Sequence, residues 1–194
     1  MKTEFQFNFS ITQADRVKRL NQQPKLIWFT GLPCSGKSTL ANALEVKLFT
    51  EGYNTYLLDG DNLRSGINND LGFSQEDRKE NLRRVAEIAK MFLDAGLFVI
   101  AAFIAPLNSD REMVKEIIGE ENYFEIFVNT PLEECESRDS KGLYKKARAN
   151  EIKNFTGVQM VYEIPVKPDL IIDNSNLKIV NNIDLITQTL SLTI

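Results

Sequence analysis

The chain has 194 residues, enough for one domain that buries a complete hydrophobic core. Its formal net charge of -4 argues against a protein that wraps nucleic acid, because neutralising phosphates requires clustered lysine and arginine. Histidine is absent, which excludes Ser-His-Asp hydrolases, histidine-ligated zinc and any imidazole base, and leaves carboxylates, lysine and metal-bound water for proton chemistry.

Cysteine content and hydropathy bound the location of the protein. The cysteines, Cys34 and Cys135, are far apart and have no metal-ligand spacing, so we expect no disulfide framework and a reducing cytoplasm. The amino-terminal segment is interrupted by Glu4, Asn8 and Asp15 and predicts no secretory signal. No apolar run approaches the roughly eighteen residues of a membrane helix. We therefore expect a soluble cytoplasmic protein without a membrane or nucleic-acid partner.

The predicted elements alternate between strand and helix. A polar arm over residues 1–23 precedes a short apolar run at Leu26–Thr30, which predicts a buried parallel strand and begins the main domain, residues 24–194. A helical pattern follows from Lys37 to about Glu51. Further predicted elements are a strand at 55–58, a helix at 74–95, strands at 97–104 and 123–128, helices at 110–118 and after Pro131, and a strand at 170–172. This alternation predicts a three-layer α/β sandwich with a mainly parallel sheet.

Basic residues are concentrated in the segment 139–157, between two predicted sheet elements. They are Lys141, Lys145, Lys146, Arg148 and Lys153. We interpret the segment as a charged helical lid over an active site. On charge pattern alone, a solvated helix face is the more common explanation.

The sequence GLPCSGKS at residues 31–38 matches the P-loop pattern, in which four residues separate two glycines and Lys-Ser follows. Backbone N–H groups of such a loop converge on phosphates, and the next helix presents its positive N-terminus. Lys37 is expected to reach the β and γ phosphates of ATP, and Ser38 to ligate Mg²⁺. The predicted ATP-binding residues are Gly31, Leu32, Pro33, Cys34, Ser35, Gly36, Lys37, Ser38 and Thr39. A P-loop NTPase fold follows.

A pair of acids, Asp59 and Asp61, follows the second predicted strand, whereas the third ends without an acid. The carboxyl edge of an open α/β sheet is where ligands bind, so we expect both acids beside the P-loop. A single turn aspartate is often structural, but two acids flanking a glycine near a P-loop favour chemistry. We assign Asp61 to the acceptor hydroxyl and Asp59, with Ser38, to the metal; the reverse order stays open. Lys37, Asp59 and Asp61 are the predicted catalytic residues.

Several segments together resemble the adenylylsulfate kinase family. They include WFTGLPCSGKSTLA, LLDGDNLRSGINNDLGFSQEDRKENLRRVAEIAK, KGLYKKARANEIKNFTG and KPDLIIDN, within a similarity that extends from about Ile11 to Asn174. The resemblance implies transfer of the ATP γ-phosphate to the ribose 3'-hydroxyl of adenosine 5'-phosphosulfate, giving 3'-phosphoadenosine 5'-phosphosulfate for sulfate assimilation. It also implies Mg²⁺ and a homodimer.

Matching positions carry the family's acceptor site onto this chain. The implied residues are Asp61, Arg64, Phe73, Arg78, Asn81, Ile104, Ala105, Lys141, Asn154 and Phe155. Phe73 and Phe155 would bracket the adenine, and the cations would neutralise the phosphosulfate. By the same resemblance, Arg138 would lie near the ATP base, and the lid would close over both nucleotides.

The chain departs from the family around the expected acceptor site. Ala105-Pro106-Leu107-Asn108 stands where the family commonly has serine followed by Pro-Tyr-Arg. The alternative is therefore a same-fold kinase acting on another nucleotide, such as cytidine diphosphoramidate in capsule synthesis. A nucleotide-operated switch is disfavoured, because the chain lacks an Asn-Lys-x-Asp motif and a glutamine-bearing switch after the third strand.

Overall fold

A parallel sheet forms the centre of the protein, for which the computed structural model describes residues 9–176 and 178–190. Its strands are β1 (Leu26–Thr30), β2 (Thr55–Asp59), β3 (Phe98–Ala102), β4 (Tyr123–Asn129) and β5 (Leu170–Asp173). They lie in the order β2-β3-β1-β4-β5, and every pairing is parallel. Strand β1 is therefore central, and all five of its residues are buried.

Helices cover both faces of the sheet. They are α1 (Gln13–Leu20), α2 (Lys37–Thr50), α3 (Gly60–Ser65), α4 (Gln75–Asp94), α5 (Asn108–Ile118), α6 (Leu132–Ser137), α7 (Leu143–Arg148) and α8 (Ile179–Leu190). Side chains alternate along a strand, so Ile27 and Phe29 face α2 and α8, whereas Leu26 and Trp28 face α4 and α5. This arrangement confirms the predicted three-layer α/β sandwich with a parallel sheet.

The main differences from prediction concern where elements begin and end. Strand β3 ends at Ala102, two residues before the end of the predicted strand. The apolar sequence continues beyond it because Phe103 and Ala105 are buried although the chain has left the sheet. Helix α5 begins at Asn108 rather than Asp110. The sequence did not predict α1, α3 or α8. Helix α1 carries Ala14, Val17 and Leu20 at helical spacing, but it has eight residues within an otherwise polar arm, and none of them is buried.

The described part of the predicted N-terminal arm packs against the end of α4. The Gln13 side chain donates a hydrogen bond to the Leu93 carbonyl at 3.1 Å, and Arg16 pairs with Asp94 at 2.7 Å. Gln22 donates to the Gly96 carbonyl at 2.7 Å. Residues 1–8 of the arm lie outside the described residues, and the division at residue 23 stays a prediction.

The basic segment 139–157 contains the short helix α7 and is not helical along its whole length. The Asp139 carboxylate accepts hydrogen bonds from the backbone N–H groups of Leu143 and Tyr144, at 2.8 and 2.7 Å, and so fixes the start of α7. The Tyr144 hydroxyl donates to the Pro33 carbonyl at 3.0 Å. The segment therefore lies against the P-loop.

Among residues 9–176 and 178–190, no helix has the length and apolarity that crossing a membrane requires.

Candidate active site

The loop after β1 has the tight backbone that its glycines predict. Gly31 has φ +153°, and a Cβ there would lie 2.7 Å from the Val128 carbonyl oxygen. Gly36 caps the start of α2 with φ +99°, and a Cβ there would lie 2.3 Å from Asn174 Nδ2. Any larger residue at either position would push the loop away from its neighbours.

Two side chains that the sequence interpretation missed hold this loop in place. The Ser35 carbonyl accepts hydrogen bonds from Thr130 Oγ1 at 3.0 Å and from Asn174 Nδ2 at 2.8 Å. Asn182 Nδ2 donates in turn to Asn174 Oδ1 at 3.1 Å. Asn174 ends the segment KPDLIIDN, and its position two residues after the predicted strand at 170–172 is the signal that could have identified it as an edge residue.

Lys37 lies within the loop and is 8% exposed. Its ammonium group donates to the Gly31 carbonyl at 3.0 Å and the Leu32 carbonyl at 2.7 Å. Burial lowers the pKa of Lys37 to about 8. The charge is thus held where an entering phosphate can replace carbonyl oxygens as its partner.

The acids Asp59 and Asp61 lie at the start of α3, where Asp59 is the N-cap residue and Asp61 is in the first turn. Asp59 Oδ2 accepts a hydrogen bond from Ser38 Oγ at 3.0 Å, and its Oδ1 caps α3 by accepting from the Asp61 N–H at 3.0 Å. Asp61 Oδ2 pairs with Lys141 Nζ at 2.7 Å, and these two side chains are 78% and 66% exposed. Strand β3 separates β2 from β1, yet Asp59 still reaches the P-loop serine.

One cavity of about 340 Å³ joins the P-loop to most of the predicted acceptor residues. Its lining includes Pro33, Cys34, Lys37, Ser38, Asp59, Asp61, Arg64, Phe73, Arg78, Asn81, Ile104, Ala105 and Lys141. The predicted residues outside this lining are Gly31, Leu32, Ser35, Gly36, Thr39, Arg138, Asn154 and Phe155.

One member of the aromatic pair proposed to bracket a base lines the cavity, and the other does not. Phe73 is 62% exposed and lies under the Arg64 guanidinium, 4.5 Å from its ring centroid. Phe155 packs edge-on against Tyr144 at 4.9 Å between ring centroids and does not line the cavity. Bracketing of a base by Phe73 and Phe155 stays a prediction.

Arginine side chains around the cavity are bonded to backbone carbonyls. Arg78 donates to the Asn154 carbonyl at 2.6 Å and to the Phe73 carbonyl at 3.0 Å, which ties the start of α4 to the basic segment. Arg64 donates to the Gly72 carbonyl at 2.8 Å. These guanidinium groups keep further N–H donors, since each has five.

Arg138 lies at the loop that follows β5 and not in the cavity. It donates to the carbonyls of Asn174 and Ser175, each at 2.8 Å, and its Nε donates to the Glu134 carboxylate at 3.0 Å. Asn174 also supports Ser35. Arg138 is therefore linked to the P-loop through Asn174, whose carbonyl accepts from Arg138 and whose side-chain amide donates to Ser35.

The oxygens of Ser38 and Asp59 form the donor set that suits Mg²⁺. A hydroxyl and one carboxylate match an ion that keeps several waters and takes its other ligands from phosphates. Within the described residues, no group of three or more acidic, cysteine or histidine side chains forms a metal cage. Such a metal ion would therefore take its remaining ligands from water and from phosphate oxygens.

Comparison with known proteins places this geometry in a family. The family profile described as adenylylsulphate kinase matches residues 23–173. An adenylyl-sulfate kinase of Marinobacter nauticus is 57% identical over 165 residues, which is 85% of this chain and 83% of the relative. One of Bacteroides thetaiotaomicron is 53% identical over 92% of this chain and 89% of the relative.

Solved structures agree with the sequence comparison. The APS kinase of Mycobacterium tuberculosis in complex with AMPPNP and APS superposes with a TM-score of 0.84. It is 43% identical, over 88% of this chain and 99% of that one. A family profile matching most of the chain, close relatives and a shared fold confirm the resemblance of the motifs, and the chain belongs to the adenylylsulphate kinase family.

Proposed function

We propose that this protein transfers the γ-phosphate of ATP to the ribose 3'-hydroxyl of adenosine 5'-phosphosulfate. The observation that carries the proposal is the single cavity in which Lys37 and Ser38 face Asp61, Arg64 and Lys141. A phosphoryl donor and an anionic acceptor bound there would meet between the two sets of residues. The product is 3'-phosphoadenosine 5'-phosphosulfate.

The P-loop residues act on the donor. Backbone N–H groups of the loop bind the ATP phosphates, and Lys37 exchanges the carbonyls of Gly31 and Leu32 for phosphate oxygens. Ser38 and Asp59 would hold Mg²⁺, and the ion would neutralise charge on the phosphates of ATP. Catalysis of this kind depends on positioning and charge neutralisation rather than on an unusual base.

Asp61 acts on the acceptor. Its carboxylate accepts a hydrogen bond from the ribose 3'-hydroxyl, aligns that oxygen with the γ-phosphorus and takes its proton. In the protein without substrate, Lys141 occupies this carboxylate. Both side chains are exposed, so an entering phosphosulfate can draw Lys141 away at little cost. When Lys141 leaves Asp61 and binds the phosphosulfate, the segment 139–157 moves over the nucleotides and excludes water.

A coupled kinase assay tests the substrate. ADP release is measured with ATP, Mg²⁺ and either adenosine 5'-phosphosulfate or cytidine diphosphoramidate. Adenosine monophosphate and cytidine monophosphate are the control acceptors. We expect the adenylyl acceptor to give the highest kcat/KM. A higher kcat/KM with the cytidine acceptor would show that the proposed substrate is wrong and would leave the proposed mechanism unchanged. ATP hydrolysis that no acceptor accelerates would contradict the proposal.

The buried charge of Lys37 predicts how ATP affinity depends on pH. Bound phosphates favour the protonated ammonium and raise its pKa above the value of about 8 in the free protein. ATP binding is therefore insensitive to this group below pH 8 and weakens above it, by up to about tenfold per pH unit. Calorimetric titrations from pH 7 to 10 measure the trend. A Lys37→Met variant with the same pH dependence would show that another group is responsible.

The assembly and location of the protein follow from the family only as proposals. We propose a homodimer in the cytoplasm, and both cysteines are free thiols, as a reducing compartment requires. One structural relative, 28% identical, is described as a hexameric APS kinase from Thiobacillus denitrificans, and this chain spans 31% of that one. Light scattering during gel filtration distinguishes a dimer from a larger assembly.

A further inference from the structure

The cavity wall next to the acceptor contains a residue in an unfavourable backbone conformation. Ala105 has φ +41°, a left-handed value that costs a residue with a Cβ about 1 kcal/mol or more. The following residue is Pro106, which favours an extended conformation at the position before it. Ala105 is 2% exposed and lines the cavity together with Ile104. Something outside the loop must hold it there.

Arg111 on α5 supplies the contact. Its side chain is 4% exposed, and one Nη donates a hydrogen bond to the Ala105 carbonyl. Its other Nη donates to the Glu163 carbonyl at 2.7 Å, and its Nε lies 3.3 Å from the Glu125 carboxylate on β4. The guanidinium is therefore fixed on three sides, and the proposed phosphoryl-transfer chemistry does not use it.

Neighbouring carbonyls of the same loop are bonded by Thr30 on β1 and by the segment 161–164, which we call the strap. The Glu163 N–H donates to the Pro106 carbonyl at 2.8 Å. Thr30 Oγ1 donates to the Ile104 carbonyl at 2.7 Å, and its remaining partner, the Tyr162 hydroxyl at 2.9 Å, must then be the donor to Thr30. Three consecutive carbonyls of the acceptor wall are thus bonded from outside the cavity.

From this network we infer that Arg111 is a positioning residue for the acceptor nucleotide, which it serves by holding Ala105 in the left-handed conformation. The inference rests on the proposed function, because it assigns the Ile104-Ala105 wall to the acceptor. Arg111 does not line the cavity in which the nucleotides are proposed to bind. Its loss lets Ala105 relax toward an extended conformation and changes the shape of the wall, while the P-loop keeps its own supports, Thr130 and Asn174.

A double-substitution cycle between Arg111 and Ala105 tests the inference. Arg111→Lys keeps a charge opposite Glu125 but loses the planar fork that bonds two carbonyls at once. We expect it to raise the acceptor KM by about tenfold, the effect of one hydrogen bond from a charged group, and to change the Kd for ATP less than about twofold. Ala105→Gly supplies the second background of the cycle, because glycine adopts the left-handed region freely, and the effect of Arg111→Lys on the acceptor KM is compared between the two backgrounds.

The combined variant decides between positioning and general support. Glycine needs no external contact to stay left-handed, so Ala105→Gly in the Arg111→Lys background should recover most of the lost acceptor affinity. An acceptor KM that Arg111→Lys leaves unchanged, or that Ala105→Gly fails to recover, would overturn the inference. A cooperative thermal unfolding transition, measured for each variant, checks that the variant is folded. If Arg111→Lys does not fold, Arg111→Gln combined with Glu125→Gln removes both buried charges and takes its place.

Failure of this inference is distinguishable from failure of the proposed function. Each KM is measured with the acceptor that the unsubstituted protein uses best. An unsubstituted protein that prefers another nucleotide overturns the proposed substrate only, whereas an unsubstituted protein with normal turnover and no coupling between Arg111 and Ala105 overturns the positioning role only.

Discussion

Replacement of Lys37 by methionine is expected to lower kcat by about a thousandfold, because the substitution removes the buried cation that neutralises charge on the transferred phosphate. Methionine keeps the length and much of the volume of the side chain. Within the described part of the chain, Lys37 donates only to the carbonyls of Gly31 and Leu32 and to the Ser35 hydroxyl, all in its own loop, so the variant should fold. The coupled assay measures kcat, and thermal unfolding checks the fold.

Lys47→Met is the matched control for this experiment. Lys47 lies on the same helix, α2, and pairs with Glu51 at the surface, where such a pair contributes little to stability. We expect kcat of the control within about twofold of the unsubstituted protein. Activity of Lys37→Met within tenfold of the unsubstituted protein would mean that the P-loop lysine is not the main source of charge neutralisation.

The two halves of the cavity are held by different kinds of contact. The P-loop half depends on buried hydrogen bonds from Thr130 and Asn174 to the Ser35 carbonyl. On the side of the proposed acceptor, the exposed pair Lys141–Asp61 connects the basic segment to α3, and surface pairs of this kind are weak. The proposed donor side is therefore preformed, whereas the Lys141–Asp61 side of the proposed acceptor site can rearrange when an anion replaces a side-chain partner.

The sequence predicted the parts of the molecule whose signals are local. The apolar run at Leu26–Thr30 and the glycine spacing that follows it depend on neighbouring residues alone, and the structure has both as predicted. The acids after β2 were also identified, because the end of a strand is visible in the sequence.

Contacts between distant parts of the chain gave no such signal. The bonds from Asn174 to Ser35 and from Arg78 to Asn154 join residues far apart in sequence. The left-handed conformation of Ala105 depends on Arg111 and the strap, and nothing in the sequence Ala-Pro-Leu-Asn predicts it. Resemblance to a family implied that Arg78 is a site residue but did not predict that it bonds the segment 139–157.

Replacement of Asp61 by asparagine is expected to lower kcat by a factor of about a hundred to ten thousand, because the amide cannot take the proton of the acceptor hydroxyl. ATP affinity should stay within about twofold, since Asp61 makes no hydrogen bond to the P-loop that the structure describes. Asp70→Asn is the matched control: Asp70 is an exposed carboxylate that pairs with Arg84 outside the cavity. The coupled assay and calorimetry of ATP binding measure these effects.

Asp59→Asn then separates the two possible orders of the acids. If Asp59 serves the metal ion beside Ser38, its loss weakens the response to Mg²⁺, and raising the Mg²⁺ concentration restores part of the activity. The same excess should not rescue Asp61→Asn, whose defect lies in the acceptor step. Rescue of Asp61→Asn but not Asp59→Asn would reverse the assignment, and near-normal turnover of Asp61→Asn would remove that residue from the acceptor step altogether. Because Asp59 also caps α3 and thereby sets the position of Asp61, a further loss of acceptor affinity in Asp59→Asn is consistent with the assigned order.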